Sequence, residues 1–84
     1  MNIEKIDNYI NDKLKNNDNL IKFRFYEVRV TLEVSEKDVN IFLRKAKKQL
    51  ESRGCNVYFT GAQYTYFGVR KQVENNEMIV AIKE

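Results

Sequence analysis

The sequence predicts one small α+β domain, a two-layer sandwich in which two helices pack on a mainly antiparallel four-stranded sheet, in the order α-β-α-β-β-β. Three observations predict it. Apolar residues recur at helical spacing over 2–15 and again over 35–53; they alternate at strand spacing from Val28 to Val34 and from Met78 to Ile82; and turn-forming residues punctuate the second half of the chain. At 84 residues the chain makes a single domain, 1–84, because a chain of this length buries only about 60% of its unfolded surface and has none left for a second core.

The first helix spans Asn2 to Lys15, where Ile3, Ile6, Ile10 and Leu14 draw one stripe and Asn2 is placed to cap the start. The run Asn16-Asn17-Asp18-Asn19 ends it, since these side chains compete for backbone hydrogen bonds and favour turns. A strand is expected from Leu20 to Val34, with Val28, Val30, Leu32 and Val34 on one face and Glu27, Arg29, Thr31 and Glu33 on the other. Upstream, Ile21, Phe23 and Phe25 have the opposite parity. The slip at Phe25-Tyr26 is expected to be a β-bulge.

Ser35-Glu36-Lys37-Asp38 opens the second helix in the manner of a capping box, and Val39, Phe42, Leu43, Ala46 and Leu50 form its buried stripe. Arg53 suits the last turn and Gly54 the left-handed position beyond it. Next come a short strand from Asn56 to Thr60, a turn at Gly61-Ala62, and a longer strand from Gln63 to about Val73. Asn75-Asn76 then closes a hairpin that sets Val73 opposite Met78 and Val69 opposite Ile82, so that Val69, Val73, Met78, Val80 and Ile82 share one core face.

A hydrophobic fraction of 43% and a charged fraction of 32% in both signs argue against disorder. No apolar run approaches the ~20 residues that span a bilayer, and Met1-Asn2-Ile3-Glu4-Lys5 lacks the layout of a signal peptide, so the chain is read as cytoplasmic, unprocessed and without a membrane partner. The absence of histidine removes the commonest general base near neutral pH and the commonest transition-metal ligand. One cysteine, Cys55, forms no intramolecular disulfide and reads as a small buried residue. Gly61 and Gly68 belong to no phosphate-cradling motif, and the carboxylate pairs Glu74/Glu77 and Glu27/Glu33 read as solvated decoration. No catalytic residue, cofactor or metal site is therefore expected. Richness in Asn, Lys and Ile with no Pro or Trp suggests AT-rich coding, as in a low-GC bacterium or one of its phages.

Two surfaces are candidates for function. On the outer face of the second helix, Lys37, Arg44, Lys45 and Lys48 surround Ile41, and an apolar residue ringed by charges is suited to anchoring a partner. The other is the far face of the sheet, where the parity of Tyr64 and Tyr66 disagrees with that of Phe67, Val69 and Val73 and leaves aromatic surface for a partner, a second copy, or the first helix to cover. The expected function is a non-catalytic interaction protein that binds a protein partner or itself as a homodimer, in keeping with a phage or mobile-element accessory or inhibitor protein. The alternative is a nucleic-acid binder that sets Lys37, Arg44, Lys45 and Lys48 against phosphates, which a net charge of +3 permits without indicating.

Overall fold

A computed structural model describes residues 3–16 and 19–83. Among them α1 runs Ile3–Lys15, β1 Leu20–Arg24, α2 Phe25–Leu32, α3 Val39–Ser52, β2 Cys55–Phe59, β3 Gln63–Tyr66, β4 Val69–Gln72 and β5 Glu77–Lys83, with a 3-10 turn at Glu36–Asp38 leading into α3. The α+β class is as expected. The single four-stranded sheet is not: the strands form a three-stranded antiparallel sheet in the order β1-β5-β2 and a separate β3-β4 hairpin. Asn2, the expected cap, and Asn17-Asp18 lie outside the described residues.

Strand β5 is buried from Glu77 through Ala81 because it has a layer on each side. Ile79 and Ala81 pair with Phe23 and Ile21 on β1 and with Phe59 and Val57 on β2. This face meets Ile6, Tyr9 and Ile10 of α1, Val28 and Leu32 of α2, and Val39, Phe42, Ala46 and Leu50 of α3. Tyr9, Phe23 and Phe42 pack ring on ring within it, with centroids 5.7–6.0 Å apart. Val80 and Ile82 have the other parity, and with Leu20 and Tyr58 they lie under Tyr64, Tyr66 and Val73 of the hairpin arm. The order of layers is therefore helices, sheet, hairpin.

The first correction concerns residues 25–34, expected as strand and found as helix α2 followed by a turn. Val28 and Leu32 are four residues apart, a spacing that satisfies strand alternation and a helical stripe equally well. The helix buries both and leaves Val30 exposed. What decides between them is the ladder: β5 begins at Glu77, opposite Arg24, and past it only the Phe25 amide still finds a partner there, the Asn76 carbonyl at 3.0 Å, where the chain turns away. The parity slip at Phe25-Tyr26 marks the junction of two elements. A pairing irregularity does occur just upstream, between Phe23 and Arg24.

The second correction concerns 63–82. The long strand is broken at Phe67 and Gly68, whose φ values of 50° and 77° are both positive, and Tyr66 pairs with Val69 across them. Positive φ at both central residues is the signature of a type I′ hairpin loop. A turn does occupy Asn75-Asn76, closed by the Glu77 amide donating to the Glu74 carbonyl at 3.0 Å and by the Glu77 carboxylate accepting from the Glu74 amide at 3.2 Å, but neither Asn takes a positive φ and the expected hairpin does not form. It connects the two sheets, so β4 and β5 are unpaired and Val69 is exposed. Val73, Val80 and Ile82 meet in one cluster, whereas Met78, beside the irregularity in β1, joins the helix-side core.

The remaining elements match the sequence closely. The stripe of α3 is buried at Val39, Phe42, Ala46 and Leu50, and Gly54 takes the left-handed conformation at φ 80° just beyond the helix. The capping box expected at Ser35 does not form: Ser35 precedes the 3-10 turn, its carbonyl accepts from the Asp38 amide at 3.0 Å, and its side chain makes no capping bond. Lys83 holds the end of β5 at both neighbours, its amide donating to the carbonyl of Asn19, just before β1, at 2.8 Å and its Nζ to the Leu14 carbonyl of α1 at 2.9 Å.

Val80 is wholly buried between the sheet and the hairpin. Val80→Asp buries an unpaired charge and is expected to unfold the domain, costing several kcal/mol against a total of ~5 to 15; a variant that melts like the parent by circular dichroism would contradict this placement. Phe67→Asn should do the opposite. The left-handed backbone costs a bulky residue about 1 to 2 kcal/mol, and the edge-on Tyr66–Phe67 contact at 4.4 Å offsets only part of that because Phe67 is so exposed. Asparagine restores the favoured Asn-Gly loop, and the melting temperature should rise by a few degrees.

Candidate functional site

Helices α1 and α3 bury their facing stripes in the core, and where their outer shoulders diverge they leave a groove of about 570 Å³. Ile3 and Asp7 of α1 line it together with Ile41, Arg44, Lys45, Lys48, Gln49 and Ser52 of α3. The α3 residues recur at intervals of three and four, so they form one continuous shoulder of the helix. Its walls are apolar at one end, where Ile3 is 52% exposed and Ile41 half-buried.

The structure thus brings together four of the five residues expected on the outer face of α3 and moves them. Ile41 and Lys45 are half-buried against the groove and do not stand opposite the core stripe, because α1 extends along that side. Lys37 is exposed on the 3-10 turn and does not line the groove. Ile3 and Asp7 were not expected there. Their positions along α1 were legible, but which shoulder of α3 they would meet was not.

The charges in the groove are unbalanced. Among the described residues, ion pairs join Lys5 to Glu33, Lys13 to Glu27, Lys22 to Glu77 and Lys47 to Glu51, and none involves Arg44, Lys45 or Lys48. Asp7, the one carboxylate of the groove, accepts a hydrogen bond from Gln49 Nε2. That contact fixes the amide orientation, since an oxygen facing the carboxylate would be repelled. Gln49 Oε1 is then left buried without a donor.

The aromatic face expected around Tyr64 and Tyr66 is corrected. Tyr64 is 4% exposed and packs on Tyr58 with ring centroids 5.7 Å apart, and Tyr66 is half-buried. The hairpin that carries these rings folds over the second face of the sheet and covers it from within the chain, a task the sequence left to α1 or to a partner. What stands exposed is the hairpin tip, Phe67 at 81% and Val69, beside Arg70 and Lys71. The signal for it was present in Phe67-Gly68 at the parity break, where a two-residue loop resolves the conflict that a single strand could not. Tyr26 and Val30, four apart on the outer side of α2, are also exposed.

One cluster resembles acid-base chemistry. Tyr9 donates its hydroxyl to Glu27 Oε1 at 3.1 Å, and Lys13 is paired with the same carboxylate. Burial, and secondarily the Glu27 charge, push the Tyr9 phenol well above its usual range, while the hydrogen bond from Lys13 draws Glu27 below the carboxylate range against an opposing effect of burial. A phenol made harder to ionise is a poorer proton donor and is scarcely present as the basic phenolate near neutral pH, so the cluster works as a tie between α1 and α2. Burial likewise pushes the Cys55 thiol up, with Lys83 and Arg53 opposing, which keeps it in the unreactive thiol form. Among the described residues no group of three or more His, Cys, Asp or Glu is arranged to hold a metal ion, and no helix is long and apolar enough to cross a membrane. Comparison with known proteins gives no matching family model, no matching curated protein and no matching solved structure.

The Tyr9 tie has a pH signature. A raised folded-state value means that its contribution is fully present below the unfolded tyrosine value of about 10 and is lost as pH rises through the folded one. Stability measured by urea unfolding should decline above about pH 10, and Tyr9→Phe should flatten that decline. An unchanged slope would show that the phenol ionises as freely in the folded protein as in the unfolded chain.

Proposed function

We propose that this chain is a non-catalytic cytoplasmic interaction domain that docks a protein partner in the groove between α1 and α3. One observation carries the reading: an apolar pair, Ile3 and Ile41, opens onto three cations that have no acidic partner among the described residues. Leaving β-branched residues accessible beside unneutralised charge is costly for solubility alone, and it suits a surface that another molecule covers. A small accessory or inhibitor protein of a phage or mobile element would use a domain of this size in that way. Self-association through the same groove is weaker on charge grounds, since it would bring like charges together unless the copies interleave.

The second reading is a nucleic-acid binder, favoured by the spacing of Arg44, Lys45 and Lys48 along one helical shoulder. The two readings rank the same variants in opposite order. Against phosphates, the Arg44→Glu/Lys48→Glu double variant should abolish binding and lower the slope of log affinity against log salt by about 0.9 per lost contact on duplex DNA, while Ile41→Ala has little effect. For a protein partner, Ile41→Ala should cost about 1 to 3 kcal/mol, and the charge reversals should act strongly on the association rate. Light-scattering mass and binding isotherms on both variants, with and without duplex or single-stranded DNA, separate them. Tight DNA binding at physiological salt that survives Ile41→Ala would replace the protein-binding reading with the second.

A further inference from the structure

Building on the protein-binding reading of the groove, we infer the chemistry of its occupant: an acidic polypeptide segment that carries an aliphatic anchor. Two features of the groove make separate demands. Ile3 and Ile41 call for an aliphatic side chain at one end. Arg44, Lys45 and Lys48, free of ion pairs among the described residues, call for anions beside it.

The combination selects among ligand classes. A nucleic acid supplies anions but no aliphatic side chain, and a small anion such as phosphate fills one cation's reach and leaves the rest of the groove open. A second copy of this chain brings its own positive groove. An acidic peptide supplies both at once. The stripe from Ile41 to Ser52 also extends over about three helical turns, roughly 16 Å at 1.5 Å per residue, which matches a segment better than a compact ligand.

Asp7 sharpens the charge requirement. Its carboxylate is held by Gln49, which follows Lys48 directly and lies about two helical turns from Ile41, so its negative charge sits at the Lys48 end of the groove. A ligand carboxylate is therefore best placed beside Arg44 and Lys45, away from Asp7, with the aliphatic anchor seated against Ile41. Neutralising Asp7 should relax this asymmetry without weakening the cation contacts.

A displayed library of random peptides, selected on the full chain at 150 mM salt, tests the inference. Enriched peptides should combine two or more Asp or Glu with an aliphatic residue set to one side of them. Representative synthetic peptides should bind about tenfold more weakly to Ile41→Ala and at least tenfold more weakly to the Arg44→Glu/Lys48→Glu variant, changes typical of anchor and buried-charge contacts. Both substitutions lie outside the core, and unchanged melting curves will show that they leave the fold intact. Enrichment of basic or purely apolar peptides, or of acidic peptides that bind both variants as well as the parent, overturns the inference. Peptides lost on Phe67→Ser and retained by the groove variants would overturn it while leaving a protein-binding domain in place. If no peptide is enriched above the groove variants and a twenty-nucleotide oligo-dT binds instead, the protein-binding reading falls with it.

Discussion

Everything in this fold depends on β5 being covered on both faces. A strand in that position cannot alternate apolar with polar residues, because each parity needs a hydrophobic neighbour, and Met78-Ile79-Val80-Ala81 is correspondingly apolar without a break. The helices satisfy one parity. The β3-β4 hairpin satisfies the other, and it needs only a few large side chains, Tyr64 and Val73 fully buried and Tyr66 in part, because the sheet beneath it is three strands wide. The one charged side chain drawn into this environment, Glu77, is held by Lys22 at 3.4 Å and by the turn amide of Glu74. Removing either partner would leave part of a buried charge uncompensated.

The elements easiest to read were those whose local signals agree with their tertiary setting. Helix α3 has a stripe, a start signal and Gly54 at its end, and it formed with the core residues its stripe implies. Helix α2 was illegible because Val28, Val30, Leu32 and Val34 fit a half-buried strand better than a helix, and only the length of β5, known once the ladder is known, excludes that strand. The hairpin fell between these cases. Its parity conflict was visible, but a phenylalanine in a left-handed turn position is uncommon enough that Phe67-Gly68 did not announce a loop. For the candidate site the cations and Ile41 were legible from α3 alone, whereas Ile3, Asp7 and the orphaned Gln49 oxygen depend on how α1 lies across it.

Two of the accessible apolar features among the described residues, the groove and the hairpin tip, differ in kind. The groove is concave, mixes aliphatic and cationic walls, and rests on two helices fixed by the core. The tip is convex: Phe67 projects from a two-residue loop at the expense of both backbone strain and hydrophobic exposure. A concave surface can desolvate part of a ligand, whereas a projecting ring can only be desolvated by something else. If both are used, they play opposite parts, one receiving a partner's side chain and the other being received.

The position of β5 in the chain has a consequence for biogenesis. β1 and β2 do not pair with each other, and each finds its strand partner in residues 77–83, so the sheet depends on a strand that the ribosome delivers after both of them. A nascent chain halted at Asn76 holds three helices, a hairpin and two strands with no ladder between them, and its apolar surface has nowhere to go. The domain therefore completes its fold after the segment has cleared the exit tunnel, and premature termination anywhere before β5 yields a product for the proteases in place of a smaller version of the protein.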